Sequence, residues 1–232
     1  MVFNPVANRS RKKRLDKLLH HLKSNNLDWQ LYPTDESMSV NQHYFQQNIN
    51  QFTDLIVVGG DGTLHNVVNC LGESSNIKLG LVPAGTGNDF AQWIYGNKKN
   101  DFNHVLAVVT GDNHTEVSFG KCQFDDGSVR LFHNVLGLGF DAMLAKELTG
   151  NKGIFGSLGY LVKSVQTLPF FRAGTITLRE PHKSITYDNL ITAFANAPYF
   201  GGGMKIAPNA DASAPSLDMC RIEMLPKLTM FA

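Results

Sequence analysis

Apolar residues along the first hundred positions of the chain alternate between two spacings. Leu55 to Val58 form an unbroken branched run, the pattern of an inner parallel strand covered on both faces. Leu64, Val67, Val68 and Leu71 then fall at i, i+3, i+4 and i+7, which predicts a helix with one apolar stripe against the sheet. The same succession recurs from Lys78, where an apolar strand leads into a helix reaching Ile94. Earlier, Met1 to Phe3 read as a very short strand. A helix follows with Leu15, Leu18, Leu19 and Leu22 on one face, Ser10 able to cap it and Asn25-Asn26 ending it. Trp29 to Tyr32 read as a second strand and Val40 to Phe52 as a polar helix. This β/α alternation predicts a doubly wound parallel sheet.

After a helix over Phe102 to Thr110 the texture changes. Thr115 to Phe124, Val129 to Leu138, Gly174 to Arg179, Ser184 to Ala195 and Leu217 to Leu225 read as strands between Asp-Gly and Pro turns, with one helix among them, Gly156 to Leu168. The expected architecture is therefore α/β: a nucleotide-binding domain over residues 1–113, then a mostly antiparallel β-sandwich domain over 114–232.

The chemistry is concentrated in the two strand-to-helix turns. Across Gly59, Gly60, Asp61 and Gly62 the three glycines leave room for a ligand and can take positive φ, and the turn opens onto a helix N-terminus, which favours an anion such as phosphate. Asp61 would repel a bare phosphate, so it implies a divalent cation between the two, hydrated magnesium. Taken alone, the turn fits equally well with Asp61 as a simple helix N-cap. A second turn, Gly85-Thr86-Gly87-Asn88-Asp89, has the same form and opens at the same carboxyl edge, so the two read as one site. Asn88 and Asp89 could merely cap their helix, whereas Gly85 and Thr86 have no evident structural duty.

At 43% apolar and 18% charged, 232 residues suffice for a sizeable core, and a net charge of +1 gives no argument for nucleic acid. No apolar run approaches the roughly 20 residues of a spanning helix, so membrane contact would be peripheral. Cys70, Cys122 and Cys220 stand far apart, which suits a reducing cytoplasm, and the eight histidines read as ordinary surface or core residues. Arg9, Arg11, Lys12, Lys13 and Arg14 crowd the start of the first helix, either as a solvated basic face or as a flank for phosphates or an anionic membrane surface.

Gly59-Gly60-Asp61-Gly62-Thr63, together with Pro83 to Phe90, Asn4-Pro5 and Asn134 to Asp141, resembles the diacylglycerol kinase catalytic domain family in four ordered motifs. The resemblance implies a lipid kinase using ATP and Mg2+, its acceptor a lipid hydroxyl held in an interdomain cleft and presented at a membrane surface. It implies that Asn4, Pro5, Asn8, Thr34, Gly59, Gly60, Asp61, Gly62, Thr63, Asn66, Gly85, Thr86, Asn88 and Asp89 line the nucleotide site, with Asp61 and Asp89 toward magnesium. Location would be cytoplasmic, peripheral at the inner membrane face, and a homodimer is compatible.

Three departures from the family pattern stand out. The family's general base lies in an Asp-Gly-Glu segment near the C-terminus that this sequence does not contain, and Leu225 to Ala232 read as an interrupted helix, so a truncated chain is expected. Ser118 stands where the family has an acidic residue. Ala214-Pro215 replace an Asp-Gly pair of a structural magnesium site, for which Asp211 is the substitute candidate. NAD kinase, which shares a GGDG turn, and a non-catalytic nucleotide-binding relative are the alternatives.

Other patterns carry less. Gly137 to Ala142 imitates a dinucleotide fingerprint without the βαβ unit, and Gly156 to Gly159 lacks part of a nucleophile elbow. Gly201-Gly202-Gly203 reads either as a close backbone approach or as a flexible hairpin. Phe140, Phe155, Phe170, Phe171, Tyr199 and Phe200 are acyl-chain candidates and equally good core residues.

Overall fold

The computed structural model describes residues 1–5, 9–72, 77–149 and 166–224. Asn8, most of the expected helix over 156–168, Phe155 and residues 225–232 lie outside these. The first half comprises β1 (Val2–Phe3), α1 (Arg9–Ser24), β2 (Tyr32–Pro33), α2 (Met38–Asn48), β3 (Asp54–Gly59), α3 (Asp61–Leu71), β4 (Lys78–Pro83), α4 (Asp89–Tyr95) and α5 (Phe102–Val109). Its four strands form a parallel sheet in the order β2-β1-β3-β4. The chain steps outward from β1 to β2 and then returns past β1 to β3 and β4. Right-handed crossovers therefore place α1 on one face and α2 and α3 on the other. The reversal falls between β1 and β3, where sheets of this kind bind ligands at their carboxyl ends.

The branched run of β3 is inner strand: Val57 and Val58 are fully buried, packed with Val82 of β4, Leu18 of α1, Val67 and Val68 of α3 and Val105 of α5. β2 is shorter than its sequence implies because β1 offers only two residues to pair with, and Trp29 is left 45% exposed. Ser10 falls inside α1 and not at its cap.

The second half comprises β5 (Gly120–Gln123), β6 (Val129–Phe132), β7 (Val135–Gly139), α6 (Phe140–Thr149), β8 (Gly174–Glu180), β9 (Lys183–Ala195), β10 (Tyr199–Phe200), β11 (Met204–Lys205) and β12 (Asp218–Glu223). Every pairing among them is antiparallel, as expected. β9 organises the sheet: its first part pairs with β8 and its second lies between β7 and β12.

Two expectations change here. The run Val129 to Leu138 is two strands, broken at His133-Asn134, because β6 pairs back on β5 while β7 joins β9. Asn196 fixes the break, its Nδ2 donating to the carbonyls of His133 at 2.9 Å and Ser118 at 2.8 Å. The helix α6 has no counterpart in the hydrophobic pattern. Gly139, at φ 111°, turns the chain out of β7, and Asp141 lies over Gly137, where a Cβ would come 1.7 Å from its carboxylate.

Candidate functional site

The turns after β3 and β4 meet at the carboxyl edge of the parallel sheet. A Cβ on Gly85 would come 2.5 Å from the Cα of Gly60, and one on Gly60 2.8 Å from the Cα of Gly85, so the two backbones touch. Gly85 thus has the structural duty that its sequence did not reveal. Gly59 is likewise filled from within, by the side chain of Thr63, whose atoms would lie 2.5 Å from an added Cβ. Neither Gly59, Gly60 nor Gly62 takes positive φ; the left-handed residue is Asn88 at φ 52°, a conformation Asn tolerates. Asn88 holds its own loop closed, with Gly85 N–H donating to Oδ1 and Nδ2 donating to Gly85 O, both at 2.8 Å. Gly62 has open space around it, so it is here, at the start of α3, that a ligand can approach the backbone.

Asp61 does not cap its own helix, where Gly60 occupies the cap position. Its carboxylate crosses to α4 and accepts the amides of Asp89 and Phe90, both at 3.1 Å. That bond locks the turns together and orients the carboxylate. Asp89, 6% exposed, accepts the Gly202 amide at 2.9 Å on Oδ2, while Oδ1 is buried without a hydrogen-bond partner. Burial foremost, with Asp61 adding to it, pushes the Asp89 carboxyl above its ordinary range; the Gly202 and Gly203 amides and Lys99 oppose that. The Oδ2 atoms of Asp61 and Asp89 both face Gly87, at 3.2 and 3.4 Å from where its Cβ would be. Two converging carboxylates, one with an unpartnered oxygen, are a donor set that fits a hard divalent cation shared with phosphate oxygens. Among the described residues no group of three acidic, His or Cys side chains gathers into a metal site.

The second half adds two groups. Gly202 comes from the hairpin between β10 and β11, where Gly201, Gly202 and Gly203 all take positive φ and the Gly202 amide reaches Asp89, while a Cβ on Gly203 would meet open space. His133 is neither surface nor ordinary core. It is 5% exposed, its ring edge-on to Phe90 at 5.2 Å, with Nε2 4.0 Å from Asp61 Oδ1 and no hydrogen bond at either ring nitrogen. Burial lowers its pKa to about 4, against the opposing pull of the Asp61 carboxylate.

The other expected residues divide. Thr86 is exposed at the turn tip, Asn66 is half-buried on α3, and Thr63 is buried against Gly59. Asn4 and Thr34 follow β1 and β2 at the same edge; Asn4 O accepts from Arg11 Nη1 at 3.2 Å, and Pro5 is exposed. Arg11 also reaches Ala84 O at 3.4 Å, and Arg14 the Pro83 carbonyl, so these two of the basic cluster bind strand ends while Lys12 and Lys13 are exposed. Asp211 has its Oδ1 taken by the amide and hydroxyl of Ser213. Phe140 and Phe171 are core and stack edge-to-face at 5.3 Å, Phe170 is 82% exposed, and Tyr199 and Phe200 are half-buried. No helix among the described residues is long and apolar enough to cross a membrane.

Residues 1–122 match the model of the diacylglycerol kinase catalytic domain. The chain belongs to that family. Residues 134–232 match the YegS C-terminal NAD kinase beta sandwich-like domain. Among relatives of this kinase family, the YtlR protein of Bacillus subtilis is 33% identical over 190 residues, 76% of this chain and 60% of that protein. The diacylglycerol kinase of Mycobacterium tuberculosis is 31% identical over 180 residues, 77% of this chain and 58% of the relative. That of Staphylococcus haemolyticus is 26% identical over 213 residues, 90% and 62% respectively. The chain thus spans about 60% of the length of these relatives. Its fold matches the crystal structure of a diacylglycerol kinase from Bacillus anthracis with a TM-score of 0.70, over 96% of this chain and 72% of that one, at 22% identity.

Proposed function

We propose that this protein is a lipid kinase that transfers the γ-phosphoryl group of ATP to the hydroxyl of diacylglycerol or a similar lipid. Residues 1–113 would hold the nucleotide, and the acceptor would lie between them and residues 114–232, drawn from a membrane surface that the protein meets peripherally. The observation that supports this most is the meeting of the two glycine turns, with an open helix start at Gly62 beside the carboxylates of Asp61 and Asp89. Phosphoryl transfer asks a protein chiefly for positioning and charge neutralisation, and this arrangement offers both.

The α3 N-terminus would receive phosphate oxygens through backbone amides near Gly62, with Thr63 contributing backbone only because its side chain is turned onto Gly59. Asp61 and Asp89 would hold Mg2+, which when bound neutralises phosphate charge. The α4 amides orient the Asp61 carboxylate before nucleotide arrives.

Turnover of ATP against a panel of lipid acceptors, with product identified by mass, tests the activity; nucleotide binding with no acceptor phosphorylated would assign a non-catalytic role. Asp61→Ala should weaken magnesium-dependent ATP binding by about 100-fold, since it removes one charge of a partly buried pair. Unchanged affinity by calorimetry would show that the phosphates lie elsewhere.

A further inference from the structure

His133 is the one described residue of the second half whose ring stands against Asp61, and its surroundings leave both of its nitrogens without a partner. Native structures rarely leave a buried donor unsatisfied, because the desolvation is not recovered. Nor is the ring loosely held. Its backbone carbonyl is fixed by Asn196, the next carbonyl, of Asn134, accepts the Asn196 amide at 2.7 Å, and the Phe90 ring closes one side. The residue therefore occupies a prepared position beside the carboxylate, with Nε2 4.0 Å from Asp61 Oδ1.

We propose that His133 is a positioning residue for Asp61, its Nε2 donating a third hydrogen bond to the carboxylate that already accepts the Asp89 and Phe90 amides. At 4.0 Å the present separation is longer than a hydrogen bond, and a shift of Asp61 of about 1 Å closes it. The consequence is a link between the halves: the strand break at His133-Asn134 would set the orientation of the group that faces magnesium. This inference rests on the nucleotide reading of Asp61 given above. It concerns a position that none of the four motifs includes.

Two measurements test it. In nucleotide-free protein, long-range 1H–15N correlation of the imidazoles should show His133 with its proton on Nε2, and Asp61→Asn should move that resonance. A proton on Nδ1, or a resonance indifferent to Asp61→Asn, overturns the proposal without any reference to nucleotide. In calorimetry with MgATP, His133→Leu should weaken binding by about tenfold, the loss of one hydrogen bond to a charged group, and His133→Gln should restore most of it. In an Asp61→Asn background His133→Leu should have no further effect, whereas a merely structural role would cost the same in both backgrounds. Wild-type affinity in His133→Leu with loss in Asp61→Asn sinks this inference alone; wild-type affinity in Asp61→Asn sinks the nucleotide reading and the inference with it.

Discussion

In the parallel half, every strand delivers its following loop to one edge, so residues distant in sequence collect at the carboxyl ends without further device, and the turns after β3 and β4 press backbone to backbone. In the antiparallel half, neighbouring strands run in opposite directions, so successive loops are divided between two ends and not collected at one. That half reaches the site by interruption. His133 comes from the break between β6 and β7, Gly202 from the hairpin between β10 and β11, and Asn196, just past β9, holds the break in shape. The difference teaches where a site can be altered: in one half through continuous stretches that the fold cannot do without, in the other through isolated residues whose loss leaves the strands standing.

The largest effect should come from the contact between the two turns. Gly85→Val places a Cβ within 2.5 Å of the Gly60 backbone, which cannot swing aside as a side chain would. We expect a loss of about 3 kcal/mol in urea denaturation, at the upper end of overpacking penalties. Gly62→Ala, two residues from that contact but in open space, should stay within about 1 kcal/mol of the parent. Equal losses in the two would mean that the turns are not in contact.

This contrast also marks what the sequence could disclose. The period change at Leu64 and the unbroken run of Leu55 to Val58 specify strand, turn and helix because both faces of the sheet are covered. The pairing of the turns was legible for the same reason, since a parallel sheet has a single carboxyl edge. The division of labour among the glycines was not. Gly60, Gly62 and Gly85 read alike in the chain, and only the register of β3 on β4, Gly59 opposite Pro83, decides which are pressed together and which faces outward. His133 gave no local signal at all. The apolar run around it read as one strand, and its break is dictated by Asn196, which lies 63 residues further along the chain. The helix α6 escaped notice because the turn that starts it is made by Gly139 and by Asp141 folding onto Gly137, not by an apolar period.

Effects in the antiparallel half should be smaller and separable. Asn196→Ala removes a buried donor shared by two carbonyls, those of Ser118 and His133, and should cost about 2 kcal/mol. Asn69 of α3 exchanges hydrogen bonds with Leu131 of β6, donating to its carbonyl and accepting its amide, both at 2.9 Å. Asn69→Ala should cost about 1 kcal/mol, because water can replace part of what is lost at this half-buried position. Amide hydrogen exchange distinguishes the two: the first should release protection around His133-Asn134, the second at Leu131 while β3 and β4 keep theirs.

The smallest expected effect is a change of slope at the point where the halves share a charge. Asp89 is buried, its carboxyl is raised chiefly by that burial and further by Asp61, and the Gly202 amide from the other half only partly offsets this. A carboxyl whose folded value lies above its unfolded one favours the folded state while protonated. Its contribution is present below the ordinary carboxylate range and is lost as pH rises through the folded value. Asp89→Asn keeps the shape and an oxygen for the Gly202 amide but never ionises, so the variant should escape that loss. Measured by urea denaturation without divalent cations, the stability difference between variant and parent should grow in the variant's favour from about pH 3 to about pH 7. A difference that runs the other way would mean that the amides of the triple-glycine hairpin and Lys99 outweigh burial at Asp89. The antiparallel half would then hold this carboxylate in its charged form and not merely touch it.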